Sequence, residues 1–120
     1  MKRKSWKLIN GSRIYFIKEE NNLNNEFIID LYGNKYWYKG NQSHRDDGPA
    51  VEYIDDYGEE WWQNGNLHRE NGSAISCKNF KAWLQNDKIH RLDGPALEYT
   101  DGRKFWYYQE EYLIFFSRRI

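Results

Sequence analysis

Three histidine–arginine pairs recur along the chain, at His44-Arg45, His68-Arg69 and His90-Arg91. An imidazole can ligate a metal ion or transfer a proton, and a guanidinium can hold a phosphate or a carboxylate through two parallel hydrogen bonds. A tryptophan lies seven residues before each histidine, at Trp37, Trp61 and Trp83. These tryptophans are 24 and 22 residues apart, and such a period indicates one supersecondary unit that is repeated and stacked.

The three histidines cannot share one metal ion if the units stack as β-hairpins. Two strands per unit, each about 4.8 Å from the next, place equivalent residues roughly 10 Å apart. The ligands of one zinc ion must instead converge to bonds of about 2.0–2.1 Å. We therefore predict no metal and no cofactor. We expect each imidazole to brace its own turn through the backbone or through a nearby side chain, namely Asp47, Asn71 or Asp93.

Two interpretations of the arginine row remain open from the residues alone. The arginines can pair with neighbouring carboxylates in a solvated ladder, where each exposed pair contributes about 0–1 kcal/mol. The carboxylates available for this are Asp46, Asp47, Glu70 and Asp93. Alternatively, a row of forked guanidinium groups can meet a phosphate or an acidic partner surface. We therefore keep Arg45, Arg69 and Arg91 as candidate binding residues.

Aromatic residues divide between the two sides of the predicted strands. Trp37, Trp61, Trp83 and Trp106 recur in register, and we assign them to the packed face. The residues that follow three of them must point to the opposite face, because side chains alternate along a strand. These residues are Tyr38, Trp62 and Tyr107. An exposed aromatic stripe beside arginines suits a protein-binding hot spot, and it equally suits stacking on a nucleotide base.

Turn and strand signals place these residues on β-hairpins. Gly40-Asn41, Asn64-Gly65 and Asn86-Asp87 sit where two consecutive residues need positive φ, which Gly, Asn and Asp tolerate best. The runs 50–54 and 96–100 alternate with the period of two expected for strands with one covered face. The sequence therefore predicts an all-β fold without helices, an antiparallel meander that forms an open, twisted sheet.

We expect the chain to form a single repeat domain over residues 1–120. Asn10-Gly11 separates two apolar runs and is a strong hairpin signal, so residues 1–35 are interpreted as a divergent N-terminal unit. Residues 36–104 contain the three repeats of about 23 residues each. Residues 105–120 form a degenerate fourth copy, which we expect to cap the stack.

Composition restricts the class of partner and the compartment. The chain has 18 basic and 18 acidic residues and zero formal net charge, so the strong basic field of a general nucleic-acid binder is missing. Its one cysteine, Cys77, cannot form an internal disulfide, which favours a reducing compartment. No segment has the length of a membrane span or of a signal-peptide core. We therefore predict a cytoplasmic protein that does not insert into membranes.

Catalytic motifs are not found in the chain. It has no Gly-x-Ser-x-Gly elbow, no Walker-type glycine loop and no zinc-protease helix motif. A histidine near an acidic residue occurs in every unit, and this reflects repetition because catalysis rarely needs three copies. We therefore predict that the protein is not an enzyme.

The segment Asn64-Gly65-Asn-Leu-His68, followed by Asn71-Gly72, resembles the MORN repeat (membrane occupation and recognition nexus), which is also a hairpin of about this period. The chain is more similar to a MORN-like variant with Trp-Tyr-x-Asn-Gly-x-x-His-Arg-x-Asp-Gly-Pro-Ala units, of the kind seen in phage and large-virus proteins. The resemblance covers residues 36–108 well and 6–35 weakly. Arginine replaces the MORN glycine after each histidine, and Gly-Pro-Ala replaces Gly-x-Gly. MORN arrays are linked to protein–protein contacts and to lipid binding.

Two functions are consistent with these observations. The first is a non-enzymatic binding module of a phage or virus that binds and modulates a host protein, such as a defence component, in the host cytoplasm. The second is a sponge that sequesters a phosphorylated small molecule, such as a signalling nucleotide, with arginine on the phosphate and an aromatic ring on the base.

The C-terminal run Tyr112-Leu-Ile-Phe-Phe116 is more apolar than a half-exposed strand should be. It can fold back over the packed face as a lid, or it can be buried against a second copy of the chain. Because two-fold dimers dominate small oligomers, we expect a homodimer with Leu113, Phe115 and Phe116 in its interface.

Overall fold

A computed structural model describes residues 2–18 and 27–109, together with the backbone of residues 111–112. This part of the chain is all-β, with antiparallel strands and no helix. Its strands are β1 (Lys4–Ile9), β2 (Ser12–Ile17), β3 (Phe27–Ile29), β4 (Lys35–Lys39), β5 (Gln42–Ser43), β6 (Val51–Glu52), β7 (Glu59–Glu60), β8 (Trp62–Gln63), β9 (Asn66–Leu67), β10 (Ile75–Ser76), β11 (Phe80–Ala82), β12 (Leu84–Gln85), β13 (Lys88–Ile89), β14 (Leu97–Tyr99), β15 (Lys104–Phe105), β16 (Tyr107–Tyr108) and β17 (Glu111–Tyr112).

The main sheet has the strand order β3-β4-β6-β7-β10-β11-β14-β15 and is open, with β5 paired to the end of β4. Strands that follow one another along this sheet are joined by tight turns or by an intervening hairpin. The predicted all-β class, with antiparallel strands in open sheets, is therefore confirmed. The relation to MORN repeats stays a prediction.

Short hairpins form a second row beside the main sheet. They are the pairs β1–β2, β4–β5, β8–β9, β12–β13 and β16–β17. Both residues have positive φ in the turns Asn64-Gly65 (50° and 82°) and Asn86-Asp87 (50° and 68°), as the turn residues predict. At Gly40-Asn41 only the glycine has positive φ. The divergent Asn10-Gly11 turn belongs to the same row, with φ of 51° and 81°.

In each repeat, one tryptophan connects the main sheet to the hairpin row. Its backbone N–H donates to an alanine of the main sheet, at 2.7 Å in Trp61–Ala74 and 2.8 Å in Trp83–Ala96. Its carbonyl accepts from the histidine seven residues later and closes the hairpin, as in His68 N to Trp61 O at 3.0 Å. The alanines at this corner, Ala50, Ala74 and Ala96, have no exposed surface. The corner therefore has room only for a very small side chain.

Neighbouring hairpins are joined through their turns. The Ser43 N–H donates to the Asn10 side chain at 2.8 Å, and the Gly65 N–H donates to the Ser43 carbonyl at 2.9 Å. Farther along, the Leu67 N–H donates to the Asp87 carboxylate at 2.6 Å, and the Asp87 N–H returns a bond to the Leu67 carbonyl at 2.9 Å. Because Asn10 takes part in these contacts, the N-terminal hairpin is stacked on the first repeat.

The apolar core is thin and follows the long axis of the molecule, which measures 59 × 26 × 22 Å. One cluster contains Ile9, Phe16 and Ile28 between the N-terminal hairpin and the sheet. A second contains Ala74, Ala82 and Leu84, with Trp61, Phe80 and other half-buried residues around it. Among the described residues, no large side chain is fully buried. Stability must therefore depend strongly on contacts made by half-buried rings and on hydrogen bonds.

The expected dimer interface cannot be placed on this architecture. Leu113, Phe115 and Phe116 lie outside the described residues, so the homodimer stays a prediction.

Candidate functional site

The register of the main sheet separates a charged face from an aromatic face. One row of directly paired positions carries Lys35, Glu52, Glu59, Ser76, Lys81, Glu98 and Lys104, which we call the charged face. Alternation places the adjacent positions on the other side. The aromatic face carries Tyr36, Val51, Tyr53, Glu60, Ile75, Phe80, Leu97, Tyr99 and Phe105. The two faces therefore offer chemically different binding surfaces.

On the side of the charged face, each repeat arginine lies flat on its tryptophan. The guanidinium carbon is 3.8 Å from the ring centroid in Arg45–Trp37 and Arg69–Trp61, and 4.0 Å in Arg91–Trp83. A glycine covers the other side of each guanidinium, at Gly48, Gly72 and Gly94. A Cβ atom at these glycines would lie 2.7–2.8 Å from the guanidinium carbon. No residue larger than glycine fits there unless the arginine moves.

Hydrogen bonds hold two of the three arginines tightly. Arg45 donates to Asp47 at 3.1 Å, to Glu52 at 3.2 Å and to the Pro49 carbonyl at 3.1 Å. Arg91 repeats this pattern with Asp93, Glu98 and the Pro95 carbonyl. Their side chains are only 22% and 23% exposed. Arg45 and Arg91 are therefore engaged mainly within their own repeats.

Arg69 differs because its repeat lacks both carboxylates. Asn71 and Ser76 occupy the positions of the Asp and the Glu that bind the other two arginines. Within the described part of the chain, its guanidinium donates one hydrogen bond, to the Ser73 carbonyl at 3.2 Å. Beneath it, the indole N–H of Trp61 is buried without an acceptor among the described residues. The middle arginine is thus the least satisfied of the three, a difference already visible in the sequence.

A cavity of about 680 Å³ lies in front of Arg69, between the first and second repeats. Arg69 lines it, with one carboxylate from each of these repeats and polar side chains from two hairpins, β8–β9 and β12–β13. The lining residues are Asp46, Trp61, Gln63, Asn64, Asn66, His68, Arg69, Glu70, Asn71 and Asn86. In this cavity, an arginine without a carboxylate partner among the described residues therefore faces a polar surface.

The histidines connect successive repeats. The Nδ1 atom of His44 accepts from the backbone N–H of Asn64 at 2.9 Å, and His68 accepts from Asn86 at 3.0 Å. His90 accepts from Gln109 at 3.1 Å. Because a backbone N–H can only donate, Nδ1 must be unprotonated, so the neutral ring carries its proton on Nε2. Each imidazole therefore binds the turn of the following hairpin, and those of His44 and His68 also contact a carboxylate of their own repeat.

The acidic partners of the histidines are adjacent to those expected. His44 Nε2 lies 2.9 Å from Asp46, and His68 Nε2 lies 2.7 Å from Glu70. The predicted partners Asp47 and Asp93 bind Arg45 and Arg91 instead. In the first repeat the two successive acidic positions thus bind different groups, Asp46 the imidazole and Asp47 the guanidinium.

The predicted aromatic stripe is half-buried. Tyr38 packs against the first core cluster, with the Lys7 ammonium 4.6 Å from its ring centroid. Trp62 donates its indole N–H to Glu60 at 3.0 Å, and Tyr107 is also half-buried. The tryptophans assigned to the packed face, including Trp106, are buried to a similar degree. Tyr32, Ile54 and Tyr57 are more exposed than any of these aromatic side chains. They lie in the turns that precede β4 and β7, and the sequence pattern did not indicate them as binding residues.

Among residues 2–18 and 27–109, no group of three or more His, Cys, Asp or Glu side chains is arranged to hold a metal ion. The same residues include no helix with the length and apolar character needed to cross a bilayer. Comparison with known proteins finds no matching family model, no matching curated protein and no matching solved structure.

Replacing a repeat arginine with lysine is expected to destabilise the fold. Arg91→Lys should lower the free energy of unfolding by about 1–3 kcal/mol, because lysine loses the planar stack and the forked hydrogen bonds. Arg103→Lys is the matched control: this arginine also lies over a ring, that of Tyr99, but its side chain is 60% exposed. The control should change stability by less than about 0.5 kcal/mol. Equal losses in urea denaturation would contradict the role assigned to Arg91.

Two tyrosines on the aromatic face make stability sensitive to alkaline pH. Burial and the negative charge of Asp30 raise the pKa of Tyr36 to about 12, and burial and Glu60 raise the pKa of Tyr53 above its usual value. The folded state therefore holds these phenol protons after the unfolded chain has lost them. Their stabilising contribution is complete below about pH 10 and is lost as the pH rises toward the folded pKa values.

We expect Tyr36→Phe and Tyr53→Phe each to reduce the loss of stability between about pH 10 and pH 12. Urea denaturation followed by circular dichroism at several pH values measures this slope. Tyr32→Phe, at a side chain that is 79% exposed, serves as the control. If the two buried-tyrosine variants and the control show the same slope as the wild type, the phenols do not cause the alkaline transition.

Proposed function

We propose that this protein is a non-enzymatic binding module whose aromatic face binds a protein partner. The observation that carries the proposal is a row of half-buried rings on one side of an open sheet. In this row the ring centroid of Tyr99 lies 5.9 Å from that of Phe80 and 6.1 Å from that of Phe105. Aromatic residues with part of their surface exposed are the usual anchors of protein interfaces. Tyr57, whose ring contacts that of Tyr53, adds an exposed ring to this surface.

The contacts of the repeated polar residues support binding rather than catalysis. His44, His68 and His90 accept backbone N–H groups, and Arg45 and Arg91 donate to carboxylates and carbonyls of their own repeats. These groups hold the array together. The aromatic face is thereby presented on a scaffold whose polar residues are largely occupied, as a preorganised binding surface requires.

The resemblance to MORN-like repeats of phages and large viruses supports a host protein as the partner. We propose that the chain acts in the host cytoplasm and modulates its target, for example a defence component, by occupying a surface of that target. A neutral net charge suits such a role, because it does not attract nucleic acid indiscriminately.

Affinity capture with three versions of the full chain tests the proposal. Wild-type protein immobilised in a host lysate should retain a specific partner, and Tyr99→Ala on the aromatic face should reduce recovery at least about tenfold. Lys81→Ala is the matched control, because Lys81 lies on the charged face, opposite Glu98 in the register of β11 and β14. Circular dichroism establishes that both variants are folded. A partner retained equally by the wild type and Tyr99→Ala, or no specific partner at all, would contradict binding through the aromatic face.

A second candidate function is sequestration of a phosphorylated small molecule at Arg69. It is favoured by the cavity of about 680 Å³ and by the missing carboxylates at Asn71 and Ser76. The amide groups of Asn64, Asn66 and Asn86 can add hydrogen-bond donors to the guanidinium. Asp46 and Glu70 oppose an anion in the same cavity, although each already contacts a histidine. Because these two carboxylates would repel an anion, we rank anion binding below protein binding.

Restoring the two carboxylates provides a sharp test of this candidate. A thermal-shift screen with pyrophosphate, mononucleotides and cyclic dinucleotides should find a compound that stabilises the wild type, by about 2.7 kcal/mol at a hundred times its dissociation constant. The double variant Asn71→Asp and Ser76→Glu should lose this response, because it gives Arg69 the partners that Arg45 and Arg91 have. Asn79→Asp, at an exposed turn residue, is the charge control. A flat screen would remove the candidate.

A further inference from the structure

We propose that a cavity on the aromatic face binds an organic cation, namely the guanidinium or ammonium group of a basic side chain on the partner protein. The cavity is about 330 Å³ in volume and is lined by Tyr53, Tyr57, Glu60, Ile75, Cys77 and Phe80. The inference rests on the proposed function in one respect, that the partner is a protein. It goes further by naming the chemistry of the residue that the partner presents.

A glycine creates the space for this cavity. Tyr53, Gly58, Cys77 and Phe80 occupy neighbouring positions across four strands, as shown by Tyr53 N to Gly58 O at 2.8 Å and Cys77 N to Phe80 O at 3.0 Å. Gly58 carries no side chain, so the row has a gap between the tyrosine and the cysteine. Its φ is 74°, and a Cβ atom there would collide with the Ser76 carbonyl. The gap is therefore a requirement of the backbone at this position.

The walls of the cavity suit a cation. The rings of Tyr53 and Tyr57 meet edge to face, with their centroids 5.7 Å apart, and Phe80 stands on the opposite side. Aromatic faces carry partial negative charge and attract guanidinium and ammonium groups. Tyr57 is 71% exposed, so its ring can contact an entering side chain without disturbing the core. A basic side chain can place its apolar stem against Ile75 and its charged end against the rings.

Glu60 supplies a full negative charge in this apolar setting. Its carboxylate accepts from the Trp62 indole N–H at 3.0 Å and from the Tyr53 hydroxyl at 3.4 Å. Both donors are neutral, and burial together with Glu60 itself raises the pKa of Tyr53, so the phenol keeps its proton. None of the six lining residues is basic. The charge of Glu60 is therefore held in place without being neutralised by the cavity.

Glu60 also departs from the repeat in which it lies. The residue immediately before the corner tryptophan is Tyr36, Ala82 or Phe105 in the other units, and Glu60 alone is charged. On the charged face, by contrast, Glu52 and Glu98 are each paired with a repeat arginine. A half-buried carboxylate placed among rings, where the other units have uncharged residues, offers a cation both an opposite charge and aromatic faces. We infer that the partner's basic side chain is that cation.

Two isosteric probes test the site directly. The full chain labelled with ¹⁵N is titrated with n-butylguanidinium and with n-butylurea, which has nearly the same shape and no charge. We expect saturable amide shifts confined to residues 53–60 and 75–80, with the guanidinium binding at least roughly tenfold tighter than the urea. Equal affinities for the two probes, or no saturable shift with either, would overturn the proposal.

Matched variants identify the carboxylate that is responsible. Glu60→Gln should abolish the preference for the cation, whereas Glu59→Gln, the adjacent glutamate on the charged face, should retain it. Tyr57→Ala, at an exposed position, should weaken guanidinium binding several-fold even if Glu60→Gln fails to fold. Loss of the preference in Glu59→Gln, or its survival in a folded Glu60→Gln, would assign the effect to general surface charge and contradict the site.

Protein capture separates this inference from the proposed function. If Tyr99→Ala abolishes capture of the partner and Glu60→Gln leaves it unchanged, the aromatic face binds a protein but not through a basic side chain in this cavity. If the cavity prefers the guanidinium probe and no protein is captured, the proposed function fails and the partner assignment fails with it. Parallel losses in Tyr99→Ala and Glu60→Gln, with Glu59→Gln normal, support both.

Discussion

The stack of an arginine between a tryptophan ring and a glycine is the interaction on which each repeat depends. The guanidinium lies about 4 Å above the indole, and the glycine allows the backbone to approach its other side. From this position one N–H reaches the carbonyl of the Gly-Pro-Ala or Gly-Ser-Ala turn, so the stack also determines where that turn lies. A planar cation is needed because only such a group can stack on a ring and donate in its own plane.

Most of the residues of the repeat motif have structural roles that depend on this stack. The tryptophan directs the chain from the main sheet into the hairpin, the buried alanine leaves space for this change of direction, and the histidine joins the next hairpin. Specialisation is therefore confined to positions outside these contacts, or to a repeat where a contact has been lost. The second repeat has both features, an arginine without carboxylates at Arg69 and a carboxylate among rings at Glu60.

Local features of the fold could be predicted from the sequence, and features that depend on stacking could not. Dipeptides such as Asn64-Gly65 specify their own turns, and alternation assigns residues to faces, so the antiparallel all-β class followed directly. The partners of His44 and His68 lie 20 and 18 residues away, in hairpins whose stacking offset no local pattern reveals. Likewise, alternation places Trp62 and Tyr38 on the side opposite the tryptophan row, but it does not show how far neighbouring residues cover them. The gap at Gly58 appears only when four strands are in register.

The histidine contacts give the array a direction, since each imidazole accepts a backbone N–H from the unit that follows it. Each joint consists of the same two groups, a ring nitrogen on one side and a backbone amide on the other. Any unit that carries this histidine and a hairpin turn can therefore form the same histidine joint with both of its neighbours. Duplication or deletion of a whole unit preserves this kind of joint, whereas the contacts between hairpin turns, which differ from one junction to the next, have to change with it.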